Sequence, residues 1–255
     1  MMRSHWPEVR FSSASGGATV RYGGSSTGTH AAFNLGDNTL DAPEHVAANR
    51  ESFARALGVA SEQVCWLRQV HGVDVVERAG SEVRAEAPAA DAHWTRESDL
   101  VLTILTADCL PVLLADREGH CVGAAHAGWK GLCAGVIGRL IGALPSDART
   151  LEAWIGPAIS GASYEVGEEV RDAFRQSWGA SVDAHFRAGR AAHFWCDLAQ
   201  LARAQLLGEG VQTVHVAGYC TLRDERFYSY RRDGETGRQA SFVRLTPPSQ
   251  RRPTR

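Results

Sequence analysis

The chain has no apolar run approaching the roughly 18 residues that a membrane-spanning helix needs. Its start, Met-Met-Arg-Ser-His-Trp-Pro, has no apolar h-region, so a cytoplasmic location is expected. Acidic and basic residues nearly cancel, to a formal charge of −2, which gives no global pull toward nucleic acid or membrane. Cys-x-x-Cys is absent. The six cysteines are scattered, a pattern of reduced and mostly buried thiols rather than of a disulfide framework. Also missing are His-Glu-x-x-His, a Walker A loop, a Gly-x-Gly-x-x-Gly after a strand, and the His-x-Glu with Pro-Cys-x-x-Cys of zinc deaminases. Gly24-Ser25-Ser26-Thr27-Gly28 matches the nucleophile-elbow spacing, but no apolar strand precedes it and no helical pattern follows. Any metal or nucleophile chemistry must therefore use a less common arrangement.

What is present suits a globular core: 255 residues, 44% of them hydrophobic. Residues 1–19 read as an irregular polar segment, 20–245 as one domain and 246–255 as a disordered tail. Pro43 opens a helix with Val46, Phe53 and Leu57 on one face, and Gly58 stops it. Strands are expected at 64–67, 73–77, 100–105, 110–115, 120–125, 151–155 and 213–217. Further helices are expected at 132–144, 165–178 and 197–207, the first weakened by Gly135, Gly138 and Gly142 unless a neighbour packs close to its backbone. The alternation lacks a regular βαβ period and no repeat is found, which favours a single α+β domain.

The chemistry concentrates at three strand ends: Gln69-Val70-His71-Gly72, Thr106-Ala107-Asp108-Cys109-Leu110-Pro111, and Ala125-His126-Ala127-Gly128-Trp129. A lone cysteine after an apolar strand is ordinarily a small core residue. Two consecutive strands, however, would carry Cys109 and His126 to the same sheet edge. Spacing leaves two arrangements open. His71, Cys109 and His126 would be three N/S ligands with a vacant fourth position, as a catalytic zinc requires. Alternatively, Cys109 would be a nucleophile with His126 as its base, and His71 a bystander. Cys65, Cys121, Cys133 and Cys196 read as inert thiols, and His93, His120 and His215 as core or edge residues. The Arg-rich stretch 223–238 reads either as a solvated loop or as an anion site, with Arg231 the first choice for phosphate. Tyr228 and Tyr230 are placed to stack on a flat ring.

From Val20 to Arg238 the chain resembles the multicopper polyphenol oxidase (laccase-domain) family, also described as purine nucleoside phosphorylase and as peptidoglycan editing factor. The resemblance rests on 21–36 (RYGGSSTGTHAAFNLG), 41–50 (DAPEHVAANR), QVHG, TADCLPVLLAD, AHAGWKG, IGPAIS with YEVGEEV, and FYSYRRDGETGRQA, all in order. It implies an α+β fold with a central mixed β-sandwich flanked by helices, shared with the catalytic domain of a cytotoxic necrotizing toxin. It also implies a metal, zinc or else copper, on His71, Cys109 and His126. The implied activity is phosphorolysis of adenosine, inosine and methylthioadenosine with adenosine deamination, in a monomer whose partners are nucleoside and phosphate, with no nucleic acid or membrane. Zinc would acidify a water for attack at purine C6, and Asp108 would be a proton carrier or stand behind the ligands. Two further activities go with the resemblance: a hydrolase editing a cytoplasmic muropeptide through Cys109 and His126, and a copper polyphenol oxidase. Ser160-Gly161-Ala162-Ser163 lacks the cysteines often found before the Tyr164 motif, and the ten histidines form no His-x-His pair, which argues against the oxidase.

Overall fold

Every residue from Leu110 to Asp116 is buried, and the side-chain alternation of a strand explains why the run is apolar on both faces as far as Ala115. Leu113 and Ala115 face a core between two sheets, whereas Leu110, Val112 and Leu114 face a core under helices. A computed structural model describes residues 5–80 and 86–250. Among them the larger sheet runs, in spatial order, β13 (Thr213–Val216), β9 (Leu151–Ile155), β7 (Leu110–Asp116), β8 (Val122–Ala127), β5 (Ala92–Thr95) and β4 (Val75–Glu77). The second runs β1 (Glu8–Arg10), β2 (Ala14–Ala18), β14 (Gln239–Leu245), β6 (Val101–Thr106) and β3 (Val64–Cys65). Both mix parallel and antiparallel pairs. A small third sheet joins β10 (Glu165–Gly167), β12 (His193–Cys196) and β11 (Phe186–Ala188).

The two large sheets pack face to face, with Leu102, Ile104, Val122, Trp154 and Val243 between them. Helix α1 (Pro43–Leu57) covers the outer face of one sheet through Phe53 and Leu57, where Trp6, Phe53 and Phe242 form an aromatic cluster. Helices α2 (Trp129–Cys133), α3 (Val136–Ala143), α4 (Glu168–Trp178) and α5 (Leu198–Gly208) cover the outer face of the other. The molecule is thus a single α+β domain, a mixed β-sandwich flanked by helices.

Several sequence expectations need correction. Residues 8–10 and 14–18 are not irregular but strands. The signal is hidden because β2 is Ala-Ser-Gly-Gly-Ala: a Cβ on Gly16 would lie 2.6 Å from the Phe242 carbonyl oxygen, so large residues are excluded. The helix expected over 132–144 begins at Trp129 and breaks at Gly135, whose φ of 90° belongs to the left-handed region. The close neighbour that its glycines implied is Glu209 just past α5, 2.5 Å from where a Gly138 Cβ would stand. Glu165–Gly167 pairs as β10 instead of opening α4. The 223–238 loop contains a short helix, α6 (Tyr230–Asp233), capped by Ser229. Of the expected tail, Pro248–Gln250 form a 3-10 turn, and 251–255 lie outside the described residues.

Candidate active site

Strands β7 and β8 pair antiparallel with Pro111 opposite His126, so the residue preceding β7 lies beside the end of β8. That residue is Cys109. The chain reaches it by crossing from β6 in one sheet to β7 in the other, and the crossing is made at Asp108 with φ 95°. Both oxygens of the buried Asp108 carboxylate hold this conformation: one accepts from Thr221 Oγ1 at 2.6 Å, the other from the Arg231 backbone amide at 2.7 Å. Asp108 therefore ties the Cys109 turn to α6, and its oxygens are occupied by that task.

His71 arrives on a turn with φ 61°. Asp91, wholly buried at the head of β5, accepts the amides of Val70, His71 and Gly72 at 3.1, 2.9 and 2.6 Å. The same carboxylate accepts Nδ1–H of His126 at 2.8 Å, and the Asp91 backbone carbonyl accepts the His126 amide at 2.7 Å. Gln69 adds a second clamp by pairing both ends of its amide with the Leu105 backbone.

The donor atoms of His71, Cys109 and His126 all lie within 4.8 Å of one another, the one such group of three among the described residues. Cys109 Sγ is 4.0 Å from His71 Nε2, and the two imidazoles meet edge to face at 4.7 Å. Gly128 makes the room: a Cβ there would lie 3.1 Å from Cys109 Sγ and 3.2 Å from His71 Cδ2. With Nδ1 of His126 committed to Asp91, its Nε2 is the free donor. One thiol and two imidazoles this close, one of them backed by a carboxylate, fit a tetrahedral zinc with one position open.

Electrostatics point the same way. Burial pushes the Cys109 thiol up, but the His126 and His71 imidazoles outweigh it and bring its pKa down to about 6. Burial lowers His126, yet Asp91 and Cys109 raise it to about 9. The thiols read as inert are buried and free, and burial pushes Cys65, Cys121 and Cys196 up.

The trio opens into a cavity of about 380 Å³ that Arg68, Tyr164, Tyr230, Arg231 and Arg238 also line. Arg231 lies against the Tyr164 ring at 5.1 Å and donates to the Glu165 carbonyl at 2.9 Å. Tyr230 is exposed at the cavity, but Tyr228 is fully buried with its hydroxyl on the His30 carbonyl and stacks on no ligand. Arg232 is likewise structural, bonded to carbonyls of Thr221, Leu222 and Phe227. His93 is core and His120 pairs with Asp116. Sequence reasoning missed Asp91, whose only signal is a lone charge in the small, apolar run Ala89-Ala90-Asp91-Ala92. It also gave no role to Tyr164, although that residue opens the YEVGEEV stretch, or to Arg68, which carries no local pattern.

A layered β-sandwich with a Cys–His–His cluster where the chain crosses between sheets defines the class. A family model described as multi-copper polyphenol oxidoreductase laccase matches residues 15–246, and the chain belongs to that family. A relative named purine nucleoside phosphorylase from Pseudomonas aeruginosa is 43% identical over 89% of this chain and 91% of its own length. Purine nucleoside phosphorylase YfiH of Escherichia coli is 40% identical over 94% and 96%. A Neisseria meningitidis crystal structure superposes with a TM-score of 0.90 at 37% identity, covering 96% of this chain and all of that one. YlmD from Geobacillus stearothermophilus gives 0.87 at 30% identity, covering 93% of each chain.

Proposed function

We propose that this protein is a zinc-dependent purine nucleoside phosphorylase acting on adenosine, inosine and methylthioadenosine, with adenosine deaminase activity. The observation that carries the reading is the convergence of His71, Cys109 and His126 on a cavity lined by cationic Arg231. The names of relatives at about 40% identity support it. His71, Cys109 and His126 would hold zinc, which supplies Lewis-acid polarisation when bound.

The chain's own residues do the rest. Arg231 neutralises phosphate as one of its oxygens bonds to C1′ and the C1′–N9 bond breaks, releasing the purine base and ribose 1-phosphate. Tyr230 offers a ring face to the base. Asp91 holds the His126 imidazole with Nε2 forward. In deamination, water replaces the 6-amino group and ammonia leaves. No helix among the described residues is long and apolar enough to cross a membrane, and the reading includes a cytoplasmic monomer.

Asp91 behind His126 beside Cys109 is also the orientation a Cys–His nucleophile needs, which keeps a muropeptide hydrolase as second reading. Chromatography of adenosine incubations, with and without phosphate, separates the two. Adenine formed only with phosphate, or inosine formed without it, lost in Cys109→Ala and after chelation, is the expected result. No product from zinc-loaded protein overturns it and directs attention to amide substrates.

A further inference from the structure

Three arginines line the cavity, Arg68, Arg231 and Arg238, and none makes a salt bridge among the described residues. Their neighbours in sequence behave otherwise: Arg226 pairs with Asp224 at 2.6 Å and Arg232 with Asp233 at 2.8 Å. Arg68 and Arg231 are exposed, but Arg238 is half-buried, and a half-buried guanidinium without a counter-ion is costly, so its persistence needs a reason.

Arg238 is the most constrained of the three. Its amide donates to Asn34 Oδ1 at 2.8 Å, and its stem packs where Gly36 has no side chain: a Cβ there would be 2.6 Å from Arg238 Cγ. Nη1 donates to the Thr236 and Gly237 carbonyls, while Nε and Nη2 have no acceptor among the described residues and are not sealed off from solvent. Two donors of a fixed planar fork are thus left free. Arg231 is steered by the Glu165 carbonyl and Tyr164 ring. The Arg68 backbone is held to Pro88, and its side chain makes no hydrogen bond to the described protein. The two carboxylates on the same wall are already engaged. Asp37 pairs with Arg50 at 3.2 Å, and Asp108 is saturated by Thr221 and the Arg231 amide.

We propose that Arg238, Arg231 and Arg68 form a subsite for a doubly charged tetrahedral oxyanion of phosphate chemistry, with Arg238 as its inner anchor. Planar forks match such an oxyanion through paired N–H bonds. The oxyanion is either free inorganic phosphate or the phosphate monoester of a nucleotide. Only the choice of free phosphate rests on the phosphorylase reading.

Calorimetric titration of the purified protein with inorganic phosphate, with adenosine 5′-monophosphate and with adenosine tests this. Arg238→Met is expected to weaken phosphate at least about tenfold, and Arg68→Met by several-fold, with adenosine affinity unchanged. Tighter binding of the monophosphate than of both phosphate and adenosine assigns the subsite to a nucleotide; saturable phosphate binding without that gain assigns it to free phosphate. If wild type binds neither anion, or if both methionine variants bind phosphate as wild type does, the proposal is overturned. Loss of phosphate binding in Cys109→Ala with retention in the arginine variants also overturns it, because the anion then sits on the metal. Should Arg238→Met melt early by circular dichroism, Arg68→Met decides alone, since its exposed side chain makes no hydrogen bond or salt bridge among the described residues. Phosphate binding that depends on the arginines without any phosphate-dependent product would sink the phosphorylase reading and leave the subsite standing.

Discussion

Asp91 and His126 are joined by a 2.8 Å hydrogen bond from the imidazole Nδ1 to a carboxylate with no solvent exposure. That carboxylate also gathers three amides of the His71 turn, so one side chain orients two of the three clustered donors. Burial alone would raise its pKa, but the His126 bond and the Gly72 and Val70 amides lower it, keeping it an acceptor.

Asp91→Asn should therefore act on the proposed zinc set without touching it. An amide cannot accept at both oxygen positions, so part of the His71 turn or the His126 bond is lost. Zinc affinity is expected to fall about 10–100-fold, read by competition with a chromophoric chelator. Wild-type affinity in the variant would contradict the role given to Asp91.

Gly128→Ala probes the cluster sterically. The backbone φ of −57° suits alanine, so the only cost is the new Cβ at 3.1 Å from Cys109 Sγ and 3.2 Å from His71 Cδ2. Spreading the donors should weaken zinc binding by about tenfold while the melting temperature of the metal-free protein stays close to wild type. A large loss of stability with unchanged zinc affinity would show that the glycine serves packing alone.

Cys109 should be reactive in the metal-stripped protein. Its alkylation rate by iodoacetamide is expected to rise through a midpoint near pH 6 and then level off, because the thiolate forms above its lowered pKa of about 6. His126→Gln removes the main stabilising cation and should move the midpoint upward. Zinc should protect the thiol at every pH.

His93 carries an acid sensitivity unrelated to the cleft. It is fully buried, and neither ring nitrogen has a hydrogen-bond partner among the described residues. Burial and the Arg78 charge push its pKa from 6.5 to about 3, the Thr103 backbone opposing them in part. The unfolded chain then binds the extra proton between those values, so this contribution is intact above pH 6.5 and is lost progressively toward pH 3. Between pH 8 and pH 5 the loss is about 2 kcal/mol, measurable by urea unfolding. His93→Leu should flatten that part of the acid limb; an unchanged slope would be falsifying.

Much of the fold was legible because of strong local patterns. Pro43 and Gly58 bracket α1, and the strands at 101–106 and 110–116 are largely apolar on both faces because both faces are covered. Strand β2 was illegible: its glycines answer to the Phe242 and Pro7 carbonyls, which are distant in sequence. The break at Gly135 was hidden because a glycine within a helical pattern reads the same whether it bends or merely weakens the helix.

The sequence by itself determined the α+β class and the three strand ends carrying His71, Cys109 and His126, since turn residues and apolar runs are local signals. The tertiary structure decided which groups meet there. Placing Asp91 behind His126, burying Tyr228 while leaving Tyr230 open, and leaving Arg238 on the cavity wall with no carboxylate partner among the described residues all depend on contacts between distant segments. Periodicity records which face of an element is covered, and it carries no information about which distant segment covers it.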